Sequence, residues 1–107
     1  MRSAYVYIVI CADESYYTGC TTDPARREAQ HNAGIGSQYT YSRRPVKMVF
    51  AQEFGNLLEA AITERQIKGW CRAKKEALIA GNFDLLVELA ACKHKPEEES
   101  NYLILSA

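Results

Sequence analysis

Four things are missing from this 107-residue chain. Its cysteines, Cys11, Cys20, Cys71 and Cys92, form no C-x-x-C pair and have no paired-histidine spacing beside them, so a structural zinc site is not expected. They read instead as small buried apolar residues in a reducing compartment. No apolar run approaches the ~20 residues of a membrane-spanning helix. The run Tyr5–Cys11 is short and no signal-peptide cleavage pattern follows it, which predicts a soluble, cytoplasmic protein without a membrane partner. Net charge is absent too: 13 Lys+Arg stand against 13 Asp+Glu, which weighs mildly against duplex DNA, where phosphate neutralisation dominates affinity. Three of the acids sit together at Glu97–Glu99, and without them the balance is 13 − 10 = +3. Internal repeats are lacking, which excludes a solenoid.

What is present suffices for a core. Hydrophobic residues make up 48% of the chain, and its length predicts one domain. We place that domain at residues 1–93, with a polar tail over 94–107. Residues 4–11 are β-branched and aromatic throughout, a pattern for a central strand. A turn at 12–15 leads to a returning strand, Ser15–Thr21. Asp23 and Pro24 then open a helix that stops near Gly34: Asp23 can cap exposed amides, and Pro24 needs no amide partner at the first helical position. After a loop at 34–38, residues 46–54 form a third strand. Asn56 caps a long helix over 57–70, and two shorter helices follow at about 72–80 and 83–92. The expected fold is α+β, a small three-stranded antiparallel sheet flanked by helices.

On a strand, Tyr5, Tyr7 and Val9 share one face, and Val6, Ile8 and Ile10 the other. Tyr17 joins the Tyr7 face if the hairpin loop has an odd residue count; a two-residue turn would separate them. Tyrosine is also simply a good strand residue, and the chain has seven. The ordered set Tyr5-Val6-Tyr7, Tyr17-Thr18-Gly19, Thr21-Thr22-Asp23, Arg26-Arg27, His31-Asn32, Arg43-Arg44-Pro45-Val46 and Gln66-Ile67-Lys68 resembles the GIY-YIG nuclease superfamily over about residues 4–80. Within it, the chain is similar to a group of small single-domain bacterial and viral proteins. The pattern departs at Tyr5, where the first element has glycine, and at Thr18, where the second has isoleucine. An asparagine that some members add after their metal glutamate has no clear counterpart.

Arg27 and His31 lie four residues apart, hence on one helix face. Arg27, eight residues after Gly19, matches the family's catalytic arginine, whose forked donors suit a phosphate. His31 can donate to phosphate or move a proton near neutral pH. An arginine and a histidine on a short polar helix are otherwise ordinary solvated residues. On the long helix Leu57, Ala60, Ala61, Glu64, Ile67 and Cys71 fall on one stripe, interrupted by a carboxylate that must find a cation, protonate or line a cleft. Glu64 matches the residue that holds the single metal ion in GIY-YIG enzymes, and Mg²⁺ (or Mn²⁺) suits one carboxylate with waters and phosphate oxygens. A salt bridge from Glu64 to Arg27 or Lys68 is the competing reading.

The resemblance implies a metal-dependent endonuclease hydrolysing DNA. Tyr7 serves as or positions the general base, Tyr17 orders nucleophile and phosphate, Arg27 and His31 stabilise charge, and the ion rests on Glu64. A tyrosine base requires nearby positive charge to lower its pKa from about 10. Arg43 and Arg44 beside Tyr39 and Tyr41 form a candidate nucleic-acid track, a pattern better suited to single-stranded or branched DNA than to duplex reading; an ordinary exposed turn is the plain alternative. The rivals for the whole chain are a non-catalytic nucleic-acid-binding module, and a nuclease subunit needing a protein partner, for which Leu103-Ile104-Leu105 is the place to look; a terminus folded onto the body is the plain alternative for that run.

Overall fold

The computed structural model describes residues 3–90, with the side chain of Ala90 left aside. Cys92, the predicted tail and its apolar run lie outside the described residues. The elements are β1 (Ala4–Ile10), β2 (Tyr16–Thr21), α1 (Pro24–Asn32), α2 (Gln38–Tyr41), β3 (Lys47–Phe54), α3 (Leu57–Lys68), α4 (Arg72–Ala80) and α5 (Phe83–Ala90). No described helix is long and apolar enough to cross a membrane.

The described residues divide into two compact units, one running up to Glu64 and one starting at Arg65. The first holds an antiparallel sheet in the order β2-β1-β3. β1 is central because it has no polar side to spare: Val6 and Ile8 on one face, and Tyr7 and Val9 on the other, are all buried. Its β2 partner register is Tyr7↔Gly19 and Val9↔Tyr17, and directly opposed residues share a face. Tyr17 therefore lies on the Tyr7 side. The loop is odd-numbered as that requires, but it spans five residues, Cys11–Ser15, closed by Cys11 N–H donating to the Ser15 carbonyl at 2.8 Å. Tyr7, Val9, Cys11 and Val46 form a core cluster on this face, with Tyr17, Tyr39 and Met48 packed against it.

A register shift between Ile8 and Val9 leaves Val9 opposite Met48 and Ile8 opposite Phe50, so Met48 turns onto the tyrosine face. There its N–H donates to Glu28 Oε2 at 2.6 Å. Asn32 completes the attachment of α1 to β3, donating to the Val46 carbonyl at 3.0 Å and accepting from its N–H at 2.7 Å. α1 starts as predicted: Asp23 Oδ1 accepts from Arg26 N–H at 3.2 Å, with Pro24 in the first turn. Asn56 caps α3 by accepting from Glu59 N–H at 2.8 Å. Two expectations fail. The long helix ends at Lys68 rather than 70, and Leu57 is 62% exposed, outside the apolar stripe, while Ala60 and Ile67 are buried. In the second unit, α4 ends at Gly81 in the left-handed conformation (φ 73°), and α5 packs against α4.

Candidate active site

Tyr7 sits in the middle of the central strand with 1% of its surface exposed, so its hydroxyl must find partners inside the protein. One is His31, fully buried on α1, whose Nε2 lies 2.7 Å from Tyr7 Oη. The other polar neighbour is Arg27, one turn earlier, whose positive charge acts on the phenol. Gly19, opposite Tyr7 on β2, makes room: a Cβ there would overlap the Tyr7 hydroxyl. Tyr17, half-buried, presents its ring edge-on to His31 at 5.3 Å between centroids. Glu64 of α3 acts on Tyr7 and on Cys20 through its charge. All five predicted site residues thus belong to one electrostatic neighbourhood in the first unit.

One partner escaped sequence reading. The other nitrogen of the His31 ring, Nδ1, lies 2.8 Å from Oγ1 of Thr40, a fully buried hydroxyl on α2. Thr40 O–H donates to the Ser37 carbonyl at 3.3 Å, and Ser37 Oγ caps α2 by accepting from Thr40 N–H at 3.2 Å. With its proton on that carbonyl, Oγ1 accepts from Nδ1–H. The ring is then bare at Nε2, which accepts from the Tyr7 hydroxyl. A four-residue helix is too short for hydrophobic periodicity to reveal; Ser37, three residues before Thr40, was the available signal. Gly36 is equally constrained, since a Cβ there would collide with His31 Nδ1. Gly36→Ala should lower unfolding free energy by about 1–3 kcal/mol, the usual cost of overpacking. Denaturant melts check this, and an unchanged midpoint would show that His31 yields easily.

The electrostatics correct one expectation. Tyr7 was expected to need a lowered pKa. Burial instead pushes it well above the ordinary tyrosine value, with Tyr17 and Glu64 adding to the rise and Arg27 opposing it. The phenol is therefore protonated at neutral pH. His31 is displaced the other way: burial, then the Arg27 charge, hold its pKa below 6.5, so the ring is neutral. Burial, reinforced by Glu64 and opposed by Arg27, also raises the Cys20 thiol.

The predicted nucleic-acid track is largely used inside the protein. Arg43 lies over the Tyr39 ring at 3.9 Å and is tied to Asp13 in the hairpin loop at 3.0 Å and to the Tyr39 carbonyl at 2.9 Å. Tyr39 stacks on Tyr17 at 5.7 Å, so this pair acts as a wall that holds the Tyr17 ring. Arg44 covers the exposed Tyr41 ring at 4.5 Å and donates to the Tyr41 and Asn32 carbonyls at 2.8 and 3.4 Å.

Two tyrosines on one sheet face, one of them hydrogen-bonded to a histidine of the first helix, lie in a stretch of chain that matches the GIY-YIG catalytic domain. Residues 3–77 match the family model of that domain, and the chain belongs to the GIY-YIG family, a family of endonuclease domains. More particularly, it is similar to UPF0213 proteins. One from Natronomonas pharaonis is 49% identical over 76 residues, covering 71% of this chain and 89% of that protein. Another, from Streptococcus pneumoniae serotype 4, is 46% identical over 83 residues, covering 78% and 84%. A protein from E. faecalis solved by solution NMR is 34% identical with a TM-score of 0.51, covering 92% of this chain and 97% of that chain.

Proposed function

We propose that this protein is a divalent-metal-dependent endonuclease that hydrolyses phosphodiester bonds in single-stranded or branched DNA, with Tyr7, Tyr17, Arg27, His31 and Glu64 as its working residues. The observation that carries the reading is the Tyr7–His31–Thr40 chain beside Arg27. Arg27 Nε is a buried donor without a partner among the described residues. An incoming phosphate oxygen would satisfy it, and orphaned buried donors are uncommon enough to call for such an explanation.

Among the described residues no three His, Cys, Asp or Glu side chains gather into a metal-binding group. A divalent ion here would rest on the Glu64 carboxylate, with water and substrate oxygens filling its remaining positions. That hard, oxygen-only set fits Mg²⁺ or Mn²⁺ and not a structural zinc. Bound there, the ion would neutralise charge on the departing oxygen.

Tyr7 itself does not start as a phenolate. Its oxygen accepts a proton from the attacking water while its own proton passes to His31 Nε2, and Nδ1–H stays on Thr40. The proton gained by the protein thus ends on His31, and the water oxygen bonds to phosphorus as the bond to the leaving oxygen breaks. Arg27 holds the charge that develops on the phosphoryl oxygens.

Cleavage of labelled single-stranded, branched and duplex DNA with Mg²⁺ or with chelator tests the reading. Cutting that needs the ion and disappears in Glu64→Gln is the expected outcome; DNA binding without cutting in any metal would leave a binding module in its place. A pH series adds a sign. His31 must be neutral to accept the proton, and its folded pKa lies below 6.5. The rate should therefore stay level near neutrality and fall only as pH drops through that lower value. An acid limb centred above 6.5 would contradict the relay.

A further inference from the structure

A second cleft opens on the tyrosine side of the sheet, of about 520 Å³ and lined by Ser3, Tyr5, Thr22, Asp23, Arg26 and Glu53. None of these residues belongs to the site described above. Tyr5 lies two residues before Tyr7 on β1, on the same face, and directly opposite Glu53 on β3 and Thr21 on β2. At ~3.4 Å of rise per residue the two tyrosines stand roughly 7 Å apart along the strand. Arg26 is the neighbour of Arg27 in the first turns of α1.

The chemistry of the lining is mixed in an informative way. Asp23 is occupied in capping α1. The side chains of Tyr5, Arg26 and Glu53, by contrast, take part in no hydrogen bond or ion pair among the described residues. An aromatic ring, a guanidinium and a carboxylate thus converge on one hollow without being used by the fold, whereas Arg43 and Arg44 are both engaged within it. A nucleotide offers a partner for each: a flat base for the ring, a phosphate for the guanidinium, and an exocyclic amine for the carboxylate. Tyr5 also stands where the GIY element has glycine, which has no side chain to offer a base.

We propose that this cleft is a nucleotide subsite for single-stranded nucleic acid, next to the scissile position. In it Tyr5 stacks on a base, Arg26 holds its phosphate, and Glu53 accepts from an amine of cytosine, adenine or guanine. Thymine has no such amine and is discriminated against. A flexible single strand fits better than a duplex, because a base must leave its partner to reach a ring on the sheet. The proposal rests on the nuclease reading only for the word scissile; binding is separable from cutting.

The test is fluorescence anisotropy of labelled dC and dT oligonucleotides with the whole protein in chelator, so that no strand is cut. Wild type should prefer dC, and Tyr5→Gly should weaken dC binding roughly tenfold, as loss of one stacked base does. Tyr5→Phe, which keeps the ring, should stay within about twofold of wild type. Glu53→Gln should remove the dC preference, and Arg26→Gln should weaken both ligands and flatten the salt dependence. Arg26 and Glu53 are exposed, so these two variants decide the matter even if Tyr5→Gly fails to fold. Equal affinity for dC and dT, binding unchanged in Glu53→Gln and Arg26→Gln, or no binding at all would overturn the subsite. Unchanged binding in a protein that still cuts DNA rejects the cleft and spares the nuclease; weakened binding in a protein that never cuts does the reverse.

Discussion

Arg27→Ala is expected to slow single-turnover cleavage of single-stranded DNA by about 10²–10³-fold, the usual loss when a preorganised donor to transition-state charge is removed. Two effects combine. The phosphate loses the forked donor, and Tyr7 loses the group whose charge lowers its pKa. Arg27→Lys should restore only part of the rate, since a point charge cannot hold two oxygens at once. The same change has a second signature. Arg27 helps keep His31 neutral, so its removal should let the His31 pKa rise and shift the acid limb of the rate profile to higher pH. A variant that cuts within threefold of wild type, with an unmoved acid limb, would remove Arg27 from the mechanism.

Tyr7→Phe is the second large effect. The ring stays, but the oxygen that takes the water's proton is gone, and general-base loss of this kind is worth about 10²–10⁴-fold in rate. The packing cost is modest by comparison. Phenylalanine fills the same space, yet His31 Nε2 is left buried without its hydrogen-bond donor, which should lower stability by about 1–3 kcal/mol. Rate and denaturant midpoint measured on one preparation distinguish catalysis from simple unfolding. Near-normal cutting by a folded Tyr7→Phe protein would end the proposal that this hydroxyl handles the proton. Tyr17→Phe should cost less in stability, because the contacts with His31 and Tyr39 involve the ring.

The sheet and most helix starts were legible in the sequence because their causes are local. The unbroken apolar run 4–10 marks a strand buried on both faces, Asp23-Pro24 marks a helix entry, and Asn56 marks another. Composition and motif order together reached the GIY-YIG family, because the tyrosines, Arg27, His31 and Glu64 stand in a fixed order along the chain. The end of α3 and the exposure of Leu57 escaped, since helical spacing says which residues share a stripe and not where the stripe stops being covered. Nor does a sequence show that Asp13, thirty residues earlier, pairs with Arg43 across the hairpin loop.

By itself, the sequence determined which side chains could take part and, by strand alternation, that Tyr5 and Tyr7 share a face. Tertiary structure alone decided that the hairpin loop has five residues and so puts Tyr17, opposite Val9, on their face of the sheet. It also decided that Thr40 meets His31, and that Tyr7 is driven toward its protonated form. Those outcomes depend on register, long-range hydrogen bonds and desolvation. Each is a property of what surrounds a group in space, which residue order along the chain does not specify.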